Sequence, residues 1–115
     1  MKTPAQIALF LSQMKRIVEE KGFILVDRDA SDQFLADRGY SIRDLTLLLL
    51  SLEVEDCFDG PESDRDVRYS DRWTVAEFAP LFHGEKLYLK MSIRMDAETA
   101  KCLSVKLCVE RAEGR

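Results

Sequence analysis

The stretch from Glu85 to Arg94, read as Glu-Lys-Leu-Tyr-Leu-Lys-Met-Ser-Ile-Arg, divides into two alternating sets of opposite chemistry. Leu87, Leu89, Met91 and Ile93 form one set; Tyr88, Lys90, Ser92 and Arg94 form the other. A period of two is the mark of a half-buried strand, so the first set is expected on a core and the second at the surface. The rest of the chain must then supply an apolar layer to cover Leu87 to Ile93. The outward set is a ridge of cations and hydroxyls that can grip phosphate.

The same alternation returns near the C-terminus. Leu103, Val105, Leu107 and Val109 match the core face, and Ser104, Lys106, Cys108 and Glu110 share the outer one. On adjacent strands Lys90, Arg94 and Lys106 would gather on one side, close enough to act on a single ligand. The alternative is a plain solvated sheet face.

The covering layer is legible as helices. Thr3 caps a helix that Pro4 opens, with Gln6 at the capping-box position, and Ile7, Phe10, Leu11, Met14, Ile17 and Val18 follow as one apolar stripe ended by Gly22. Phe23 to Val26 reads as a short strand or extended connection. Ser31 to Arg38 reads as a short helix closed by Gly39, and Ser41 with Asp44 begins a third helix running to about Leu52. Its four leucines, Leu47 to Leu50, predict contact on more than one side, as core rather than as a membrane span.

Glu53 to Asp66 carries seven carboxylates with Gly60 and Pro61 among them, a composition that predicts a solvated acidic loop. Extended segments follow at about 72–78, 85–95 and 101–111, turned by His83-Gly84 and by Asp96 to Ala100. Consecutive strands joined by short turns make an antiparallel meander, so the expected class is α+β, N-terminal helices packed on a C-terminal sheet.

At 115 residues, 46% of them hydrophobic, the chain fits one domain, 1–115, with a core that needs no disulfide or structural metal. No apolar run is long enough to span a bilayer, and the first ten residues carry Lys2 and Gln6 in a helical pattern rather than a signal peptide. A soluble, cytoplasmic protein without a membrane partner is expected. Cys57, Cys102 and Cys108 lack ligand-like spacing and read as structural thiols of a reducing compartment.

The net charge of -4 is uneven: residues 1–70 hold 14 acids against 9 bases, a net of -5, and residues 71–115 hold 7 against 8, a net of +1. That balance weighs against tight non-specific nucleic-acid binding but leaves room for a small local site. The acidic stretch lacks the glycine placement and terminal glutamate of a calcium loop. An Asp then Glu-x-Lys nuclease would need an acid where Tyr88 stands. Serine-nucleophile motifs and glycine-rich phosphate loops are absent, and His83 reads as a turn residue, so neither metal nor other cofactor is expected.

Several patches in order along the chain resemble the MqsR (motility quorum-sensing regulator) family of bacterial toxins, whose fold is similar to that of RelE-type ribonucleases. They are Leu52 to Pro61 with its Asp56-Cys57-Phe58-Asp59-Gly60-Pro61 end, Gly84 to Lys90 with its Tyr88-Leu89-Lys90, the single Trp73, and Phe10-Leu11 with Met14-Lys15 in the first helix. The resemblance implies a toxin of a type II toxin-antitoxin system that cleaves messenger RNA without metal and is held in check by a cognate antitoxin. It implies catalytic roles for Tyr88 and for Lys90 on the same face, to which Lys106 is added by its position; Arg94, from the same cationic ridge, is expected to contact RNA, and Trp73 either packs the sheet or presents its ring to RNA. Three positions depart from the family pattern: Asp59 replaces a lysine, Thr74 replaces a glutamine, and Cys108 falls near a late-strand lysine or histidine. A protein of the same fold that has lost turnover and acts as a protein-binding module is therefore the second expectation.

Overall fold

A computed structural model describes residues 3–66, 68 and 72–108. Lys2, Val109, Glu110 and the end of the last expected strand at Arg111 lie outside the described residues. Within them, α1 (Pro4–Lys21), α2 (Arg28–Arg38) and α3 (Ile42–Ser51) pack on a sheet of β1 (Ile24–Leu25), β2 (Cys57–Ser63), β3 (Thr74–Phe78), β4 (Leu81–Phe82), β5 (Glu85–Arg94) and β6 (Thr99–Leu107).

The first helix forms as its stripe predicts. The Thr3 hydroxyl accepts from the Gln6 amide at 3.3 Å, and the Gln6 side chain accepts from the Thr3 amide at 2.9 Å, which closes the capping box. All six stripe residues, Ile7 to Val18, are buried against the sheet, with Phe10 and Phe78 ring centroids 6.1 Å apart. In α3 the leucine run is less enclosed than expected: Leu48 and Leu49 are buried, but Leu47 is 53% exposed. A helix of ten residues turns one of four consecutive side chains to solvent when only one of its faces is covered.

The sheet order is β1-β6-β5-β3-β2, with β4 folded onto the start of β5. From β2 to β6 the neighbours are antiparallel, and only the short β1 runs parallel to β6 at one edge. This is the expected meander with one strand more, because the acidic stretch is not a loop. It forms a 3-10 turn at Val54–Asp56 and then the edge strand β2. Its turn-like composition suits an irregular edge: Cys57 and Gly60 are buried while Asp59 and Glu62 stay partly exposed, and two register shifts interrupt the pairing. Gly60, at φ 81°, passes so close to β3 that a Cβ there would lie 2.6 Å from the Val75 carbonyl oxygen.

A second irregularity changes which residues of β6 face outward. Lys90 pairs with Ser104 but Met91 pairs with Cys102, so Leu103 is an extra residue in a bulge. Upstream of it, Ala100 and Cys102 point into the core; downstream, Val105 does. Leu103, expected in the core, is displaced to the outer face, and Leu107 is 39% exposed at the strand end.

Candidate functional site

Alternation in β5 sends Leu87, Leu89, Met91 and Ile93 into the core, all no more than 2% exposed. Tyr88, Lys90 and Arg94 emerge on the opposite face, which the helices leave uncovered. Pairing then assembles a site across four strands. Lys106 lies opposite Tyr88, Ser104 and Glu77 flank Lys90 from either side, and Asp59 lies opposite Glu77 on the edge strand.

The Tyr88 hydroxyl donates to Glu77 Oε1. Burial, this hydrogen bond and the nearby charges of Glu77 and Asp59 push the phenol well above the usual tyrosine range. At neutral pH Tyr88 is thus a proton-bearing donor, not a base. The Lys106 ammonium stands 5.1 Å from the Tyr88 ring centroid, and the Phe58 ring, 45% exposed, lies 6.1 Å away on the other strand edge. Lys90 forms no ion pair among the described residues.

Two hollows flank the Tyr88–Glu77 pair. One, of about 90 Å³, is lined by Glu77, Lys90, Leu103, Glu62 and Arg65. The other is lined by Phe58, Tyr88, Lys106, Leu107 and Cys108, an aromatic ledge with one cation at its rim. Cationic groups beside aromatic faces suit a single-stranded polyanion, whose bases stack while its phosphates pair with the charges. No family model, curated protein or solved structure matches this chain.

Tyr88, Lys90 and Lys106 are brought together; Trp73 and Arg94 are not in their company. Trp73 is 7% exposed, with the Lys101 ammonium 4.1 Å above its ring, and it sits by the buried Ser92 end of the outer face as a packing residue. Arg94 is six residues along β5 from Tyr88, about 20 Å at ordinary strand rise. There its guanidinium holds Asp96 at 2.7 Å and 3.2 Å. Of the departures from the family pattern, Asp59 stands at the site beside Arg65 at 4.0 Å, and Cys108 lines the aromatic hollow. Thr74 lies in a separate hollow with Gln6, Phe10 and Gln13 of α1.

Two residues of the site escape a reading of the sequence. Glu77 is unremarkable within its own strand, and only its pairing with Lys90 gives it a place; an acid and a base on consecutive outward-facing strands are the signal that would have found it. Phe58 enters only as part of the Leu52 to Pro61 pattern. Among the described residues no three His, Cys, Asp or Glu side chains converge as a metal site would need. No helix among them is long and apolar enough to cross a membrane.

Proposed function

We propose that this chain is a toxin-like, metal-independent endoribonuclease of RelE/MqsR-like fold that cleaves single-stranded or messenger RNA. The observation that carries the reading is the uncovered sheet face on which Lys90 and Lys106 bracket a phenol held as a hydrogen-bond donor by Glu77. Cleavage of this kind needs the ribose 2′-hydroxyl activated, the adjacent phosphate neutralised and the geometry fixed within hydrogen-bond reach. Lys90 and Lys106 supply the charge, Tyr88 supports a base through the proton it shares with Glu77, and Phe58 extends the stacking ledge. By the family resemblance, the cytoplasmic partner is a cognate antitoxin that covers this face.

The test is cleavage of single-stranded RNA by the purified chain in the presence of a chelator. Lys90→Ala is expected to slow cleavage by about 100-fold or more, the usual effect of removing one group that stabilises developing charge, with the thermal unfolding midpoint unchanged. Persistent activity in the variant would sink the assignment. Toxicity on induction should disappear in the same variant and on co-expression of the neighbouring gene product.

A second reading rests on Asp59 and Glu62, carboxylates on the edge strand next to the lysines, which oppose an incoming phosphate. In that reading the same face binds a protein and no RNA is cut. It requires no cleavage at high enzyme concentration together with a stable stoichiometric complex.

A further inference from the structure

The cleft beside Lys90 contains a carboxylate arranged as a general base rather than as an ion-pair partner. Glu77 lines it with Lys90, and its Oε1 accepts from the Tyr88 hydroxyl. Among the described residues no donor takes the other oxygen, Oε2. The remaining acids of the cleft are occupied differently. Glu62 holds the Arg65 guanidinium at 3.3 Å, and Asp64 accepts from the Asp66 amide at 2.8 Å. Asp59, opposite Glu77, stands 4.0 Å from the same Arg65. Glu77 is the carboxylate that joins an orientation fixed by a neutral donor and an open second oxygen with a place directly across the strand pair from Lys90; Asp64, also held by a neutral amide, lies past the end of β2. A general base needs that combination: a fixed direction, a vacant lone pair, and a cation nearby to receive the phosphate of the same nucleotide.

We infer that Glu77 is the catalytic base of this site, taking the proton of the ribose 2′-hydroxyl through Oε2 while Lys90 holds the adjacent phosphate and Tyr88 fixes the carboxylate. The inference rests on the ribonuclease reading above and deepens it. In the step, the 2′-O–H bond breaks and its proton passes to Glu77. The 2′-oxygen forms a bond to phosphorus, and the bond from phosphorus to the 5′-oxygen breaks. The 5′-oxygen takes a proton from solvent, and Glu77 returns one to solvent, so atoms and charge balance. The products are a 2′,3′-cyclic phosphate and a free 5′-hydroxyl. Tyr88 is a positioning residue in this scheme; its protonated state is what lets it hold Glu77.

The variant that isolates the base is Glu77→Gln, which keeps an acceptor for Tyr88 and removes the proton acceptor. Three readouts are taken on wild type, Glu77→Gln and Glu77→Asp: the cleavage rate of a single-stranded RNA across pH, the ends of the products, and binding of the 2′-O-methyl form of the same RNA. Wild type should yield cyclic-phosphate ends and a rate that rises with pH along an acid limb. Glu77→Gln should lose at least about 100-fold in rate, within the range of general-base effects, and its acid limb should vanish. Binding of the 2′-O-methyl RNA should stay equal or tighten. Glu77→Asp keeps a carboxylate and should retain the acid limb at a reduced rate, which also guards against a folding artefact in the glutamine variant.

A Glu77→Gln rate within about tenfold of wild type, a persisting acid limb, or a loss of binding as large as the loss of rate overturns the role of Glu77 and leaves the ribonuclease reading standing. A wild-type chain that cleaves no RNA overturns both.

Discussion

At the scale of single residues, Tyr88 ties the site to the stability of the fold. Its phenol is pushed above the usual tyrosine range by burial, by donation to Glu77 and by the charges of Glu77 and Asp59. Below about pH 10, folded and unfolded chains both carry the proton and the contribution of Tyr88 is present in full. Above that value the unfolded chain ionises while the folded chain keeps its proton, so stability falls as pH rises, by up to about 1.4 kcal/mol per pH unit for one proton. Urea unfolding followed from about pH 8 to about pH 11 is expected to show this decline, with a shallower slope in Tyr88→Phe. Equal slopes would mean that Tyr88 ionises alike in both states. The placement of Tyr88 and Lys90 on one outward face was legible from the alternation of β5 alone. The hydrogen bond from Tyr88 to Glu77 was not, because it depends on the register between β3 and β5, and alternation leaves register open. Trp73 illustrates the same limit: no pattern in its neighbours says that Lys101, far along the chain, will cover its ring.

At the scale of elements, helices were more legible than strand irregularities. Capping boxes at Thr3 and Ser41 and stops at Gly22 and Gly39 are local signals, and they mark both ends of α1, the end of α2 and the start of α3. The edge strand β2 was hidden because its carboxylates and Gly60 carry the composition of a turn, while its pairing to β3 is a long-range property. The bulge in β6 was hidden for a related reason: Leu103, Val105 and Leu107 alternate without a break in the sequence, yet the register with β5 slips at Leu103. This has a measurable consequence. A regular strand would make Leu103 as costly to truncate as Leu89, which is fully buried. With Leu103 on the outer face beside Lys90, Leu89→Ala should cost about 2–5 kcal/mol and Leu103→Ala less than about 1 kcal/mol in chemical denaturation. Similar costs for the two would place Leu103 back in the core. The bulge also matters to the site, since it puts an apolar wall on the cleft that Glu77 and Lys90 share.

At the scale of the whole molecule, the charge balance decides how the proposed RNA interaction can work. A chain with a net charge of -4 repels a polyanion at a distance, so attraction must come from groups in direct contact. Lys90, Lys106 and Arg65 are the cations lining the two hollows. If each neutralises one phosphate of a single strand, the logarithm of affinity should fall against the logarithm of salt with a slope of about -2, or about 20-fold between roughly 50 and 200 mM. Arg65 must first leave Glu62, and Asp59 stands nearby, so the edge strand opposes the same contacts that the lysines favour. Exchanging both acids, Asp59→Asn with Glu62→Gln, is therefore expected to tighten binding of a 2′-O-methyl RNA at low salt. That gain should shrink at high salt, because screening shortens the reach of exposed charges from about 10 Å at 0.1 M to about 3 Å at 1 M. Filter binding or fluorescence anisotropy across a salt series reads both effects. A gain that persists unchanged at high salt would point to a steric effect of the two side chains. A slope near zero would mean that the lysine-bearing face does not carry the RNA at all.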